Sequence, residues 1–124
     1  MGTFYVDALV AAPHASTRRE ALKLLVDTGS MYSWISTTVL QTLGVEPFTR
    51  RRIVTIDGSL SERDMAEVVM TLEAQTLHTL CLVGQPGDLE GLGAYTLEGF
   101  GLGVDPIQRR LIPAIMFGAS ALAS

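Results

Sequence analysis

The sequence predicts a single all-β domain with one or two short helices. Three observations carry that reading. Only 18% of the 124 residues are charged, below the usual quarter of a globular chain. β-forming residues and glycines alternate at short spacing along the chain. Helical patterning is confined to two short segments. At 48% hydrophobic residues, a chain of this length supplies one core and buries about two-thirds of the surface it exposes when unfolded.

In chain order, Phe4 to Ala11 reads as a strand ended by Pro13. Ala21 to Val26 is a nearly continuous apolar run, the pattern of a strand buried on both faces. It stops at the turn formers Asp27-Thr28-Gly29-Ser30, after which Trp34-Ile35 resumes extended structure. Ser36 is placed to cap a short helix through Leu43, with Gly44 as its stop. Arg51 to Ile56, Asp57-Gly58 and the residues from Leu60 onward read as a β-hairpin with the Asp-Gly pair at its tip. Met65 to Leu72 and Leu77 to Val83 suit further strands, and Pro86-Gly87 opens a loop. Tyr95 to Phe100 fits a helical turn stopped by Gly101. Leu102 to Val104 and Arg110 to Ile112 suit short strands around the Asp105-Pro106 turn. Leu40 to Val45 is echoed by Leu97 to Leu102, each an apolar-Gly-apolar ending, which suggests a duplicated strand-loop-helix unit.

Composition excludes several functions. Thirteen acids against nine bases leave a net charge of −4, which argues against a nucleic-acid binder held by bulk charge. The single cysteine, Cys81, rules out an intramolecular disulfide and a cysteine-rich zinc site, and two distant histidines lack ligand spacing. No metal or other cofactor is expected. No apolar run approaches the 18 or so residues of a membrane helix, and the N-terminus has neither a secretion-signal pattern nor, with Val6 at the Ser/Thr position, a myristoylation motif. The expectation is a cytoplasmic protein that uses no membrane. The Gly99-x-Gly101-x-Gly103 spacing leads into Val104-Asp105-Pro106, not a helix N-terminus that would hold a phosphate. No serine sits in a Gly-x-Ser-x-Gly elbow.

The sharpest chemical signal is Asp27-Thr28-Gly29-Ser30 after Leu24-Leu25-Val26. A carboxylate at the end of a buried strand, followed by glycine, projects from a tight turn that backbone amides can approach. The alternative is an Asx-turn in which Asp27 serves only local backbone groups.

In its context the segment resembles the active-site region of retropepsin-like aspartic proteases. The motif is followed by the apolar pair Trp34-Ile35 and a short helix ending in Leu43-Gly44, and the likeness runs over roughly residues 20–113. Arg51 to Met70 takes the place of the family's flap, with its tip at Ile56, Asp57, Gly58 and Ser59. Leu92-Gly93 before the Tyr95–Phe100 helix resembles the second apolar-Gly motif, which lies under the active-site loop. The tail from Gly103 to Pro113 is closer in pattern to the prokaryotic cellular branch than to the viral one.

The resemblance implies a single-lobed closed β-barrel that works as a homodimer. The chain has one Asp-Thr-Gly, whereas the chemistry needs two carboxylates facing one water. Asp27 of each subunit would therefore meet on the two-fold axis, sharing a proton because like charges about 3 Å apart resist joint ionisation. The implied activity is endopeptidase cleavage of extended peptides or unfolded proteins. Thr28 would brace the two active-site loops, Gly29 would contact substrate backbone, and Ser30 would hydrogen-bond the carboxylate. A catalytically weak or inactive peptide-binding or dimerisation module is the alternative with the same fold. The chain departs from the viral pattern in having one flap glycine, a charge at Asp57, and Ala94 where many viral members carry arginine.

Remaining residues have plainer readings. Cys81 is expected in the core, as are Tyr32 and Trp34, which closely follow the Asp27 turn, with substrate contact as their alternative. Arg50-Arg51-Arg52 reads as the solvated start of a strand and Arg18-Arg19 as a loop, with substrate or subunit ion pairs as the sharper option. Ala114-Ile115-Met116-Phe117 reads as either a dimer strand or a fraying tail.

Overall fold

Pro13 and His14 turn the chain between β1 (Tyr5–Ala12) and β2 (Ala15–Val26), which pair antiparallel from Tyr5–Leu25 to Ala12–Ala15. In the computed structural model, which describes residues 3–115, β2 begins six residues before the apolar run at Ala21. Arg18 and Arg19 therefore lie on a strand, not in a loop. The polar stretch carries no apolar signal because it is held by cross-strand backbone bonds to β1. Nor is the apolar run buried on both faces. Leu24 is fully buried and Leu22 and Val26 pack on the core, whereas Ala21 and Lys23 are exposed. This is the period-two alternation of a strand with one wet face.

The next elements are β3 (Ser33–Ser36), α1 (Thr37–Leu43), β4 (Thr49–Val54), β5 (Leu60–Leu72), β6 (Gln75–Gly84), β7 (Gly91–Leu92), α2 (Ala94–Gly99), β8 (Leu102–Asp105) and β9 (Arg110–Pro113). The main sheet runs β1-β2-β7-β3-β6-β5-β4, and β1 also pairs with β5 through Leu9–Thr71 to Ala11–Val69. That pairing closes six strands into a barrel and leaves β4 as an outer extension of β5. The β8–β9 hairpin forms a separate two-stranded sheet.

Local signals set most boundaries. Ser36 accepts the Val39 N–H at 3.3 Å to cap α1, and Gly44 ends it with φ 73° while Val45 N–H bonds Leu40 O. The β5–β6 turn is different. It places Glu73 and Ala74 at φ 51° and 68° without a glycine, so no local turn signal marks it. Neither does a two-residue strand such as β7 leave a readable pattern.

The barrel interior holds Val10, Leu24, Ile35, Ala66, Val68 and Met70, all fully buried. Both helices lie against it. Leu40, Leu43 and Val45 on and after α1 are buried, as are Leu97, Phe100 and Leu102 on and after α2. The echo in the sequence thus corresponds to two helix ends that seal the barrel with the same spacing.

Candidate active site

The Asp27 turn hangs from the end of β2 and is fixed at its root. Val26 N–H donates to Phe4 O (3.0 Å) and Asp27 N–H to Leu92 O (3.0 Å), while β2 and β7 run parallel through Leu25–Gly91 and Val26–Leu92. Within the turn, Ser30 N–H donates to Asp27 O (3.2 Å) and Gly29 N–H to Asp27 Oδ1 (3.1 Å). Asp27, Thr28 and Gly29 are exposed. One carboxylate oxygen is thus occupied by the turn itself, and among the described residues no cation pairs with the other. The Asx-turn and the outward-facing carboxylate are both present in one geometry.

Beneath the turn lies the second glycine motif. Ala94 N–H donates to Ser30 O (2.9 Å) and Tyr95 N–H to Met31 O (2.8 Å). A Cβ on Gly93 would stand 2.5 Å from Tyr32 C and O and 2.9 Å from Ser30 O, all backbone atoms. Only glycine lets the two segments approach this closely. Gly93 N–H also donates to Ser33 Oγ (3.0 Å), which bonds Thr96 Oγ1 (2.7 Å), which in turn bonds Thr79 Oγ1 (2.9 Å). All three hydroxyls are buried. This chain ties β3, α2 and β6 together under the site. Sequence reading missed it, because three hydroxyl residues far apart in the chain carry no local signature.

Ser30 does not bond the Asp27 carboxylate, contrary to the role the resemblance implied. Its Oγ donates to Tyr32 O (2.8 Å) and accepts from Trp34 Nε1 (3.1 Å). The competing acceptor Tyr32 O lies just before β3 and the competing donor Trp34 Nε1 on it, so the hydroxyl is turned inward. Tyr32 and Trp34 are half-buried rather than core residues. Tyr32 packs on Tyr95 of α2 with ring centroids 5.6 Å apart, and Trp34 lies under the Arg63 guanidinium, 5.8 Å from its ring centroid. Polar tips and a cationic neighbour keep both aromatics at the rim.

Arg63 forks onto Asp88, with Nε–Oδ2 at 2.8 Å and Nη2–Oδ1 at 3.1 Å, and the pair is largely buried. The guanidinium holds the Asp88 carboxyl below its ordinary value, against a smaller opposing effect of burial. Asp88 sits in the Gln85–Glu90 loop leading into β7, and the far end of that loop is anchored by Glu90 Oε2, which accepts Ser36 N–H at 2.9 Å.

At the tip of the β4–β5 hairpin, Gly58 N–H donates to Thr55 O (2.8 Å) and Thr55 N–H to Ser59 O (2.9 Å). The tip is thus a three-residue loop of Ile56, Asp57 and Gly58, with Gly58 at φ 85°, rather than a two-residue Asp-Gly turn. Asp57 Oδ1 accepts from Thr55 Oγ1 (2.6 Å) and Ser59 N–H (3.0 Å). These bonds lower the Asp57 carboxyl to about 2. Ile56 is fully exposed, and Val54 and Leu60 are 69% and 67% exposed.

The other candidates fall where plain chemistry places them. Cys81 is fully buried, and loss of solvation pushes its thiol up to about 12, so it is a core residue and not a nucleophile. His78 pairs with Glu67 on the barrel exterior (2.6 Å). Arg50 bonds Glu62 and Asp64 across the hairpin, leaving Arg51 and Arg52 exposed. Among the described residues no cluster of three metal-ligating side chains occurs, and no helix is long and apolar enough to cross a membrane. A cavity of about 410 Å³ is lined by Ala8, Leu9, Leu22 and Lys23, and not by Asp27. Of the C-terminal apolar run, Met116 and Phe117 lie outside the described residues.

A scan against protein-family models finds no match, and a search of curated proteins finds none either. Solved structures do match. The EIAV protease in complex with the inhibitor HBY-793 superposes with a TM-score of 0.63 at 20% identity, covering 81% of this chain and 89% of that one. The solution structure of the simian foamy virus (mac) protease gives 0.54 at 17% identity, covering 77% and 93%. At such identities the likeness is one of backbone architecture, and it covers most of both chains. With a mostly-β chain, a barrel closed by the β1–β5 pairing, and two viral proteases superposing over most of their length, the chain has the retropepsin-like fold of retroviral proteases.

Proposed function

We propose that the chain is an aspartic endopeptidase that acts as a homodimer, with Asp27 of each subunit supplying one carboxylate. The observation that carries this reading is an exposed carboxylate, unpaired with any cation among the described residues, on a turn held rigidly by Leu92, Gly93 and Tyr95. A carboxylate that served only its own turn would not need a platform built to within 3 Å of its backbone.

One carboxylate alone is a weak tool for amide hydrolysis, and two are sufficient. On the two-fold axis the pair holds one proton between them. The ionised member takes a proton from water as the water oxygen attacks the peptide carbonyl carbon, and the protonated member donates its proton to the carbonyl oxygen. Thr28 braces the two turns, and Gly29 leaves room for substrate backbone. The β4–β5 hairpins act as flaps that close over an extended peptide and pair with it as strands. The apolar tips support this part of the reading, since Val54, Ile56 and Leu60 are left uncovered in the single chain and gain burial on a peptide or a second copy.

The test is a peptide-library digest with Asp27→Asn as control. The parent protein should cleave, best at mildly acidic pH, and a statine-type transition-state analogue should block it. Asp27→Asn should be silent while keeping the same fold and mass. Cleavage that persists in Asp27→Asn removes this reading, and peptide binding without turnover at any pH favours a binding module.

A further inference from the structure

The joint between the hairpin stem, the Gln85–Glu90 loop and the Asp27 turn is made by side chains that the chemistry above does not use. Arg63, on β5, has a side chain only 10% exposed. It makes four hydrogen bonds: two to Asp88, one to Ser61 Oγ (2.7 Å) and one to Glu62 O (2.9 Å). Its guanidinium carbon lies over the Trp34 ring, 5.8 Å from the centroid, within cation–π reach. The Trp34 Nε1–H holds Ser30 Oγ, which in turn holds Tyr32 O. The loop that Arg63 grips is closed on itself by Asp88 N–H to Gln85 O (2.9 Å) and Gln85 N–H to Asp88 Oδ2 (2.8 Å). At its other end Glu90 O accepts Leu25 N–H (3.3 Å), next to the root of the Asp27 turn.

A buried ion pair is a poor way to add stability, since well-packed apolar side chains of the same volume often do as well. What a guanidinium offers instead is direction: a planar fork that fixes a carboxylate and a flat face that stacks on an aromatic ring. Here the fork holds Asp88 while the cation lies over the Trp34 ring, and the two contacts join three segments distant in sequence.

We propose that Arg63 is a positioning residue that couples the β4–β5 hairpin to the Asp27 turn, by clamping Asp88 with its fork while bearing on Trp34, whose indole N–H restrains Ser30. Movement of the hairpin stem drags the guanidinium across the indole, and the indole passes the displacement to the turn through Ser30. The catalytic consequence rests on the endopeptidase reading, but the mechanical coupling does not. With the clamp intact the hairpin stem and the turn are ordered before peptide arrives. Without it that ordering is charged to binding, so KM rises while kcat holds.

Trp34 is the chain's one tryptophan, so its fluorescence reports on the joint directly. In Arg63→Gln, backbone amide exchange at Gly29 and Ser30 should rise about tenfold, Trp34 emission should shift, and KM should rise about tenfold with kcat within twofold, a coupling of ordinary allosteric size. Arg63→Lys keeps the charge and loses the fork and the flat face. It should move the same readouts in the same direction by less, and it carries the test if Arg63→Gln does not fold. In Ser30→Ala the last link is gone, so adding Arg63→Lys should no longer change exchange at Gly29. Faster exchange confined to the hairpin and residues 85–90, with Gly29 and Ser30 unaltered, overturns the coupling, as does wild-type behaviour of Arg63→Lys in all readouts. If the parent protein cleaves no peptide, the endopeptidase reading fails, while exchange and emission still decide the clamp.

Discussion

Gly93 and Asp57 show how much single residues decide in this chain, and in opposite ways. A methyl group on Gly93 would meet the Tyr32 carbonyl at 2.5 Å. Because the obstructing atoms are backbone, no side chain can swing aside. Gly93→Ala should lift the Asp27 turn from its platform, costing about 2 kcal/mol or more of stability and most of any peptidase activity. Chemical denaturation and a cleavage assay check it, and a variant as stable and active as the parent contradicts the packing argument. Asp57 is fully exposed, and its bonds from Thr55 and Ser59 bring its carboxyl from 3.8 to about 2. The folded value lies below the ordinary one, so the ordering of the tip is fully present above pH about 4. It is lost as pH falls toward 2. A carbon-13 NMR titration of the Asp57 carboxyl should show that depressed midpoint, and a midpoint near 3.8 would mean that the tip bonds do not form in solution. The turn at Asp27 and the glycine packed beneath it at Gly93 were legible in the sequence, because each belongs to a contiguous motif. The sequence misled about Ser30, whose hydroxyl is taken by Trp34 and Tyr32, partners within four positions whose geometry only the folded strand sets.

Among the elements, α1 was readable because its start and stop are local chemistry: a serine oxygen for an orphan N–H, and a left-handed glycine after the last turn. The β4–β5 hairpin was readable too, although its loop is one residue longer than an Asp-Gly turn. β7 and the polar half of β2 were not, since each exists only because a partner strand supplies its hydrogen bonds. The link between elements is the Ser33–Thr96–Thr79 hydroxyl chain. Thr96→Val keeps the shape of the side chain and removes the central hydroxyl, leaving Ser33 and Thr79 without their shared buried partner. The expected loss is about 2 kcal/mol, measured by denaturation, together with faster amide exchange at Gly93. Unchanged exchange at Gly93 would show that the chain does not hold the platform.

For the whole molecule, the barrel closes on itself in one chain, yet the proposed chemistry needs two. Specific activity should therefore fall on dilution through the dimer dissociation constant and recover with a tight-binding statine-type ligand, which binds only the paired form. Activity per chain that is independent of concentration in a preparation sedimenting as monomer would remove the second carboxylate and the mechanism with it. The matched helix ends, with Leu40, Leu43 and Val45 against Leu97, Phe100 and Leu102, show that the echo noticed in the sequence is a repeated way of sealing one barrel.

Turn chemistry, strand alternation and a contiguous motif, each written within a few residues, sufficed to read the fold class, the exposed turn at Asp27 and the glycine beneath it. Barrel closure through β1 and β5, the buried hydroxyl chain and the Arg63–Asp88 fork over Trp34 came only with the folded arrangement. Each of those joins groups far apart in the chain, and no local pattern encodes a contact whose two halves meet only after the strands have paired.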